Sequence, residues 1–266
     1  EVKVKEVLAG NDRMADGALH LTLQEGRLNL DPVILNLPGG GMRLSMAYDL
    51  KGSAVDFQVA ADIERFDYGI IARRLRRADE ISGLFSLNLN ISGRAPSLNS
   101  IMQNANGELD IAVWPTELRS GVFNLWSANM VLTLVPLIDP GRRPQVNCIV
   151  ARFDLKDGYL SDDKFLIDTT RMRIIGAVQA NLQTEQLAAV FRPNAKGLGL
   201  FRMETPLRVS GTLTDQRFGA TPLDIFLSGV RMIASPILVP IERFTLGPLP
   251  RDGADVCTDP LRPASH

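Results

Sequence analysis

The sequence predicts a mainly β chain: an antiparallel sheet of many short strands with a few short capping helices. Three observations carry that expectation. Between Gln145 and Pro193 apolar and polar residues alternate. This puts Ile149, Ala151, Phe153 and Leu155 on one face, then Phe165 and Ile167, then Met172, Ile174, Val178, Ala180 and Leu182, and last Leu187, Ala189 and Phe191. Turn-type clusters separate the runs at hairpin length: Asp157-Gly158, Ser161-Asp162-Asp163-Lys164, Thr169 to Arg171, and Gln183-Thr184-Glu185. Segments of helical spacing are few and short beside them. The outcome is a meander with one apolar side, and that side must meet something.

Val2 to Leu8 is an entry strand and Asp16-Gly17 a turn signal. Leu19, Leu21 and Leu23 alternate with His20, Thr22 and Gln24. Glu25-Gly26 turns the chain into Leu28 and Leu30, and Val33, Leu35 and Leu37 share a face after Pro32. The run Pro38 to Gly41 is a hairpin turn and not a phosphate cradle. No Gly-Lys-Ser/Thr follows it, and Met42, Leu44, Met46 and Tyr48 alternate at once. Lys51-Gly52 leads into Val55, Phe57, Val59 and Ala61. Ile70, Ile71 and Leu75 then have helical spacing, with a basic cluster of Arg73, Arg74, Arg76 and Arg77. That cluster is either a solvated face or a patch for anionic headgroups, and Asp79 and Glu80 dilute it.

Phe85, Leu87, Leu89 and Ile91 form the next strand. Ser97 is placed to cap a short helix reaching Asn104, which Asn106-Gly107 ends. Leu109, Ile111 and Val113 make a strand closed by Trp114-Pro115. Gly121 to Ile138 suits a helix with Phe123, Trp126, Met130 and Leu134 on one face, stopped by Asp139-Pro140-Gly141. After the central meander, Pro193 to Arg202 is a loop, and Leu207, Val209, Gly211 and Leu213 share a strand face. Thr221-Pro222 opens a last helix. Three regions result: an N-terminal meander over 1–105, a β/helix region over 106–247 continuous with it, and a loose tail over 248–266.

Composition narrows the function. Apolar residues make up 45% and charged residues 22% of 266, so the chain is globular. A formal net charge of −1 gives no drive toward nucleic acid. With two histidines, His20 and the terminal His266, neither His-based catalysis nor a His-rich metal site is expected. No GxSxG, HExxH, Walker or Rossmann pattern occurs, so no enzyme, cofactor or metal is expected. Cys148 and Cys257 permit one disulfide; the plainer reading of Cys148 is a packed strand residue. The longest apolar run, Met130 to Ile138, is too short to cross a bilayer. Each large side chain of the stripes is worth about 1.5–3 kcal/mol when buried, so the apolar side cannot be left to water. Periodicity leaves two solutions open: a closed sandwich, or one long curved sheet shaped as a half-pipe.

An ordered set of segments resembles the C-terminal region of the AsmA-like family of bacterial envelope proteins. They are NANGELDI from Asn104, RSGVFNLW from Arg119, ARFDLKDGYLSDDKFLIDTT from Ala151, IIGAVQANLQTEQLAAVFRPNAK from Ile174 and LRVSGTLTDQRFG from Leu207. One departure is Asp215-Gln216, where the family often has a proline. The resemblance implies the half-pipe, and a periplasmic domain held to the inner membrane by an N-terminal anchor ahead of Glu1. It also implies a part in phospholipid transport toward the outer membrane, or in keeping that membrane intact. Phospholipid acyl chains would then be the partner. The groove would be lined by Leu109, Ile111, Val113, Ile149, Phe153, Leu155, Phe165, Ile167, Met172, Ile174, Val178, Leu182, Leu187, Phe191, Leu207 and Val209. A periplasmic location agrees with a Cys148–Cys257 bridge. An aspartate at Phe153 or Ile174 is expected to abolish lipid contact if the stripe faces a groove, and to unfold the chain if it is a dry core. The alternative is an assembly factor that binds envelope proteins through exposed sheet edges.

Overall fold

A computed structural model of the chain describes residues 2–9, 12–37, 39–70, 81–97, 100–118, 145–170, 172–196, 207–219, 256–258 and 261. The arginine cluster at 73–77, the helices expected at 121–138 and from Thr221, and most of the tail lie outside the described residues.

The described residues form one antiparallel sheet of thirteen strands in chain order, each hydrogen-bonded to the next. The first seven are β1 (Val2–Ala9), β2 (Asp12–Gln24), β3 (Arg27–Leu37), β4 (Gly40–Lys51), β5 (Ala54–Asp67), β6 (Ile81–Ala95) and β7 (Ala105–Leu118). The others are β8 (Val146–Lys156), β9 (Tyr159–Thr169), β10 (Met172–Asn181), β11 (Gln186–Ala195), β12 (Leu207–Thr212) and β13 (Gln216–Gly219). The strand order contains no crossover, so the half-period of the sequence maps onto space without rearrangement. Register shifts interrupt seven of the twelve strand pairs. Each such bulge bends its strand and adds twist, which is how a wide sheet acquires curvature.

Several turn signals lie inside strands. Ser161 to Lys164 is not a turn: β9 runs through it, and Arg152 pairs with Lys164 while Phe153 pairs with Asp162. On the other side the β9–β10 ladder is irregular between Gly176 and Gln179. The Asp162 carboxylate accepts the Val178 N–H there at 2.7 Å, so a side chain replaces a missing ladder acceptor. Asp16-Gly17 is inside β2, and Asn106-Gly107 begins β7 instead of ending a helix. Gly107 has φ +143°, and a Cβ there would sit 1.9 Å from the Asn90 carbonyl oxygen, so only glycine fits. Of the helix expected over 98–104, the described residues form a 3-10 turn over Met102–Asn104.

Three prolines within strands obey the ladder. Pro32 falls at the β3–β4 register shift, Pro115 beyond the last β7–β8 pair, and Pro193 beyond the last β11–β12 pair. None occupies a position where both neighbouring strands need its N–H. The loop expected from Pro193 therefore starts only after Ala195.

The largest core cluster lies on the apolar face of β8 to β12 and includes Phe165, Ile167, Ile174, Val178, Leu187, Phe191 and Val209. Phe165 and Phe191 meet edge to face, 5.2 Å between centroids. Gly176 sits between them, and a Cβ there would lie 2.8 Å from both rings. Gly176→Val is expected to cost about 1–3 kcal/mol through overpacking, read as a lower urea midpoint with an unchanged slope.

Candidate functional site: the apolar face of the sheet

Register decides which side chains share a face. Tyr48 pairs with Phe57, Val59 with Ile91, and Leu89 with Leu109. Leu109 pairs with Phe153, Ile111 with Ala151, and Val113 with Ile149. Ile149 pairs with Ile167, and Ile167 with Ile174. Gly176 pairs with Phe191, Val178 with Ala189, Ala180 with Leu187, Phe191 with Leu207, and Ala189 with Val209. Leu155 faces Leu160, Met172 packs on the same cluster as Ile174, and Leu182 packs beside Leu155. All sixteen residues expected to line a groove therefore lie on one face. The same face continues through residues absent from that set: Leu28, Leu30, Val33 and Leu35 on β3, Met42, Leu44 and Met46 on β4, and Val59 and Ile63 on β5.

Burial along that face is graded. Leu21 and Leu23 on β2 are 55% and 71% exposed. From β3 to β7 the apolar side chains are mostly half-buried, including Leu109, Ile111 and Val113. Ile149, Phe153, Met172 and Leu182 are half-buried as well, whereas Leu155, Phe165, Ile167, Ile174, Val178, Leu187, Phe191, Leu207 and Val209 are buried. The expected lining thus divides into a sealed floor and an accessible wall. Ile174, at 1% exposure, belongs to the floor, so aspartate there places a charge in a dry core. Phe153 belongs to the wall.

One end of the face is closed. Ile101, in the connection between β6 and β7, packs on the cluster of Phe57, Ile91, Ala95, Ala105 and Leu155. The Gln183 amide donates to the Gln103 carbonyl at 2.9 Å and to the Asp157 carbonyl at 3.3 Å. Gly158 N–H donates to the Ala105 carbonyl at 3.0 Å, and Leu182 N–H to the Gly158 carbonyl at 2.9 Å. Asn106 and Asp157 bond reciprocally. Gly158 has φ +73°, and a Cβ there would meet the Gln103 carbonyl oxygen at 2.2 Å. Asp157-Gly158 is thus a tight turn on which the Met102–Asn104 segment rests.

The opposite face carries its own apolar cluster on β7 to β10. There Cys148, Val150, Leu166 and Ile175 pack with Trp114, Val256 and Cys257. Cys148 and Cys257 form a disulfide with Cα atoms 5.8 Å apart. The Trp114 indole donates to the Cys257 carbonyl at 2.9 Å, and the Arg65 guanidinium lies 4.9 Å from the Trp114 ring. Residues 256–258 are therefore clasped to the sheet.

Beside the disulfide lies a buried carboxylate. Asp168 receives Arg173 Nε at 3.0 Å, Lys196 Nζ at 2.7 Å and the Asn147 amide at 2.7 Å. Asp168 and Arg173 are both buried. Burial pushes the Asp168 carboxyl up, but the hydrogen bonds from Lys196, Asn147 and Arg173 and the Lys196 charge outweigh it and hold its pKa below the usual value. His20 is paired with Asp31 at 3.2 Å on the exposed polar side of β2. No group of three metal-ligating side chains occurs among the described residues.

Comparison with known proteins gives a consistent result. The AsmA family model matches residues 1–161, from β1 into β9. The chain is also 23% identical over 235 residues to the AsmA family protein YhjG of Escherichia coli (strain K12). That alignment covers 85% of this chain and 33% of the relative, so the chain spans about a third of that relative's length. No solved structure matches. The family match begins at β1, well ahead of the segments from Asn104 onward that suggested it, and takes in more than half of the chain. The chain belongs to the AsmA family.

Proposed function

We propose that the chain is a non-enzymatic lipid-handling module of the bacterial periplasm. It holds phospholipid acyl chains against the apolar face and contributes to phospholipid transport between the inner and outer membranes, and so to outer-membrane integrity. The observation that carries this reading is the graded apolar face: a single described layer, continuous from β2 to β12, with a sealed floor and a wall of half-exposed Leu, Ile, Val and Met. Acyl chains need non-directional burial and few polar groups, which matches that lining. The Cys148–Cys257 disulfide suits an oxidising compartment. Family membership favours an envelope role. In the longer protein an anchor ahead of β1 would hold the module at the inner membrane.

The test is lipid extracted from the purified protein and weighed by mass spectrometry. Phe153→Asp is expected to reduce bound phospholipid several-fold while stability falls by less than about 2 kcal/mol, because Phe153 is on the accessible wall. Ile174→Asp is expected to unfold the chain. A protein that carries no lipid but holds an outer-membrane protein through its β1 or β13 edge would replace this reading with the assembly-factor one.

A further inference from the structure

The polar face carries a charge asymmetry that the trough does not explain. Segments 40–67 and 81–118 hold eight acidic and four basic residues, whereas segments 172–196 and 207–219 hold two acidic and five basic ones. Arg173 and Lys196 are committed to Asp168. The remaining three, Arg192, Arg208 and Arg217, sit on β11, β12 and β13. Register places them on one face. Val190 pairs with Arg208 and Ser210 with Arg217, so the three arginines lie on the face opposite Phe191, Leu207 and Val209. Successive arginines are diagonal neighbours, roughly 7–8 Å apart at the backbone.

Neither Arg192 nor Arg208 has an acidic partner among the described residues, and Arg208 Nε is buried with no hydrogen-bond acceptor. Among the described residues Arg217 reaches the exposed Asp215, at 4.0 Å. On β3 and β6, Arg27 meets Asp49 at 3.3 Å and Arg94 meets Asp56 at 3.6 Å. Arg192 and Arg217 are exposed, and an exposed guanidinium favours an anionic oxygen.

We infer that the outer face of β11 to β13 is a docking surface for the phosphate groups of an anionic bilayer. The arginines are spread along a diagonal over three strands and do not converge on one point. That suits an extended array of phosphates better than a single small anion. This surface lies opposite the trough, and the inference does not depend on the trough holding lipid.

The experiment is co-sedimentation of the full chain with phosphatidylcholine vesicles, with and without phosphatidylglycerol. Binding is expected only to the anionic vesicles and to weaken as salt rises. The variant R192S/R208S/R217S should bind on the order of a hundredfold more weakly, roughly fivefold per arginine removed. The variant R27S/R43S/R94S removes the same charge from β3, β4 and β6 and should keep wild-type binding. An equal loss in both variants, or equal binding to neutral and anionic vesicles, would overturn the proposal. So would inorganic phosphate that binds the wild type alone in calorimetry while vesicles do not. Should the triple variant fail to fold, Arg217→Ser, at a 69% exposed side chain, should keep the unfolding midpoint and lose about fivefold in binding. Wild-type binding by that single variant would also count against the docking surface.

Discussion

Asp168→Asn is expected to lower the unfolding free energy by about 3–5 kcal/mol, measured by urea denaturation at neutral pH. The carboxylate meets one buried cation, Arg173, and one partly buried cation, Lys196, at a site 7% exposed. Asparagine keeps the shape and removes the charge that Arg173 and Lys196 both meet. The cost comes from the lost charge balance of a buried site, more than from the net worth of the pair. The dependence on pH has a definite sign. The folded Asp168 pKa lies below the usual carboxylate value, so its contribution is complete above about pH 4. Below that the unfolded chain protonates first, and the contribution disappears as the pH falls through the folded pKa. The gap in melting temperature between wild type and Asp168→Asn should stay constant near neutrality and close in acid. A cost under about 1 kcal/mol, or a gap that widens in acid, would mean that the cluster is solvated.

Replacing both cysteines by alanine is expected to cost about 2–5 kcal/mol. The bridge joins positions separated by 109 residues, for which loop entropy alone gives about 4.7 kcal/mol. Native strain and residual structure in the unfolded chain reduce such figures. The local effect should be more diagnostic than the global one. Residues 256–258 are held by the bridge, by Trp114 and by packing on Val150 and Leu166. Hydrogen exchange should accelerate at 256–258 in the Cys148→Ala/Cys257→Ala variant while the β10–β11 ladder stays protected. Unchanged protection at Cys257 would show that packing alone holds the clasp.

Much of this architecture could be read from period-two alternation. A strand offers only two sides, so alternation sorts its side chains by face. Alternation does not encode how deep a residue lies on its face, so Phe153 and Ile174 looked equivalent although one is on the wall and the other in the floor. Nor does it encode bulges. Ser161 to Lys164 has the composition of a turn, yet Asp162 uses its carboxylate to complete a ladder. Asn106-Gly107 has the composition of a turn too, and instead supplies the one residue that fits against the Asn90 carbonyl. Prolines 115 and 193 suggested strand ends because their missing N–H is harmful only where a second neighbour needs it, and register alone reveals that. The Asp168 cluster depends on Asn147, Arg173 and Lys196 arriving from three other segments, which no local pattern announces. The arginine diagonal is equally invisible until β11, β12 and β13 are set in register.

Acyl chains are expected on the apolar face of the sheet and not on the polar face of β5. Adjacent residues of β5 test it directly, since Val59 is half-buried on the apolar face and Gln58 is exposed on the other. A photo-reactive amino acid placed at each position in turn, activated in growing cells, should give phospholipid adducts at 59 and none at 58. Adducts at neither position, or equal adducts at both, would contradict the account.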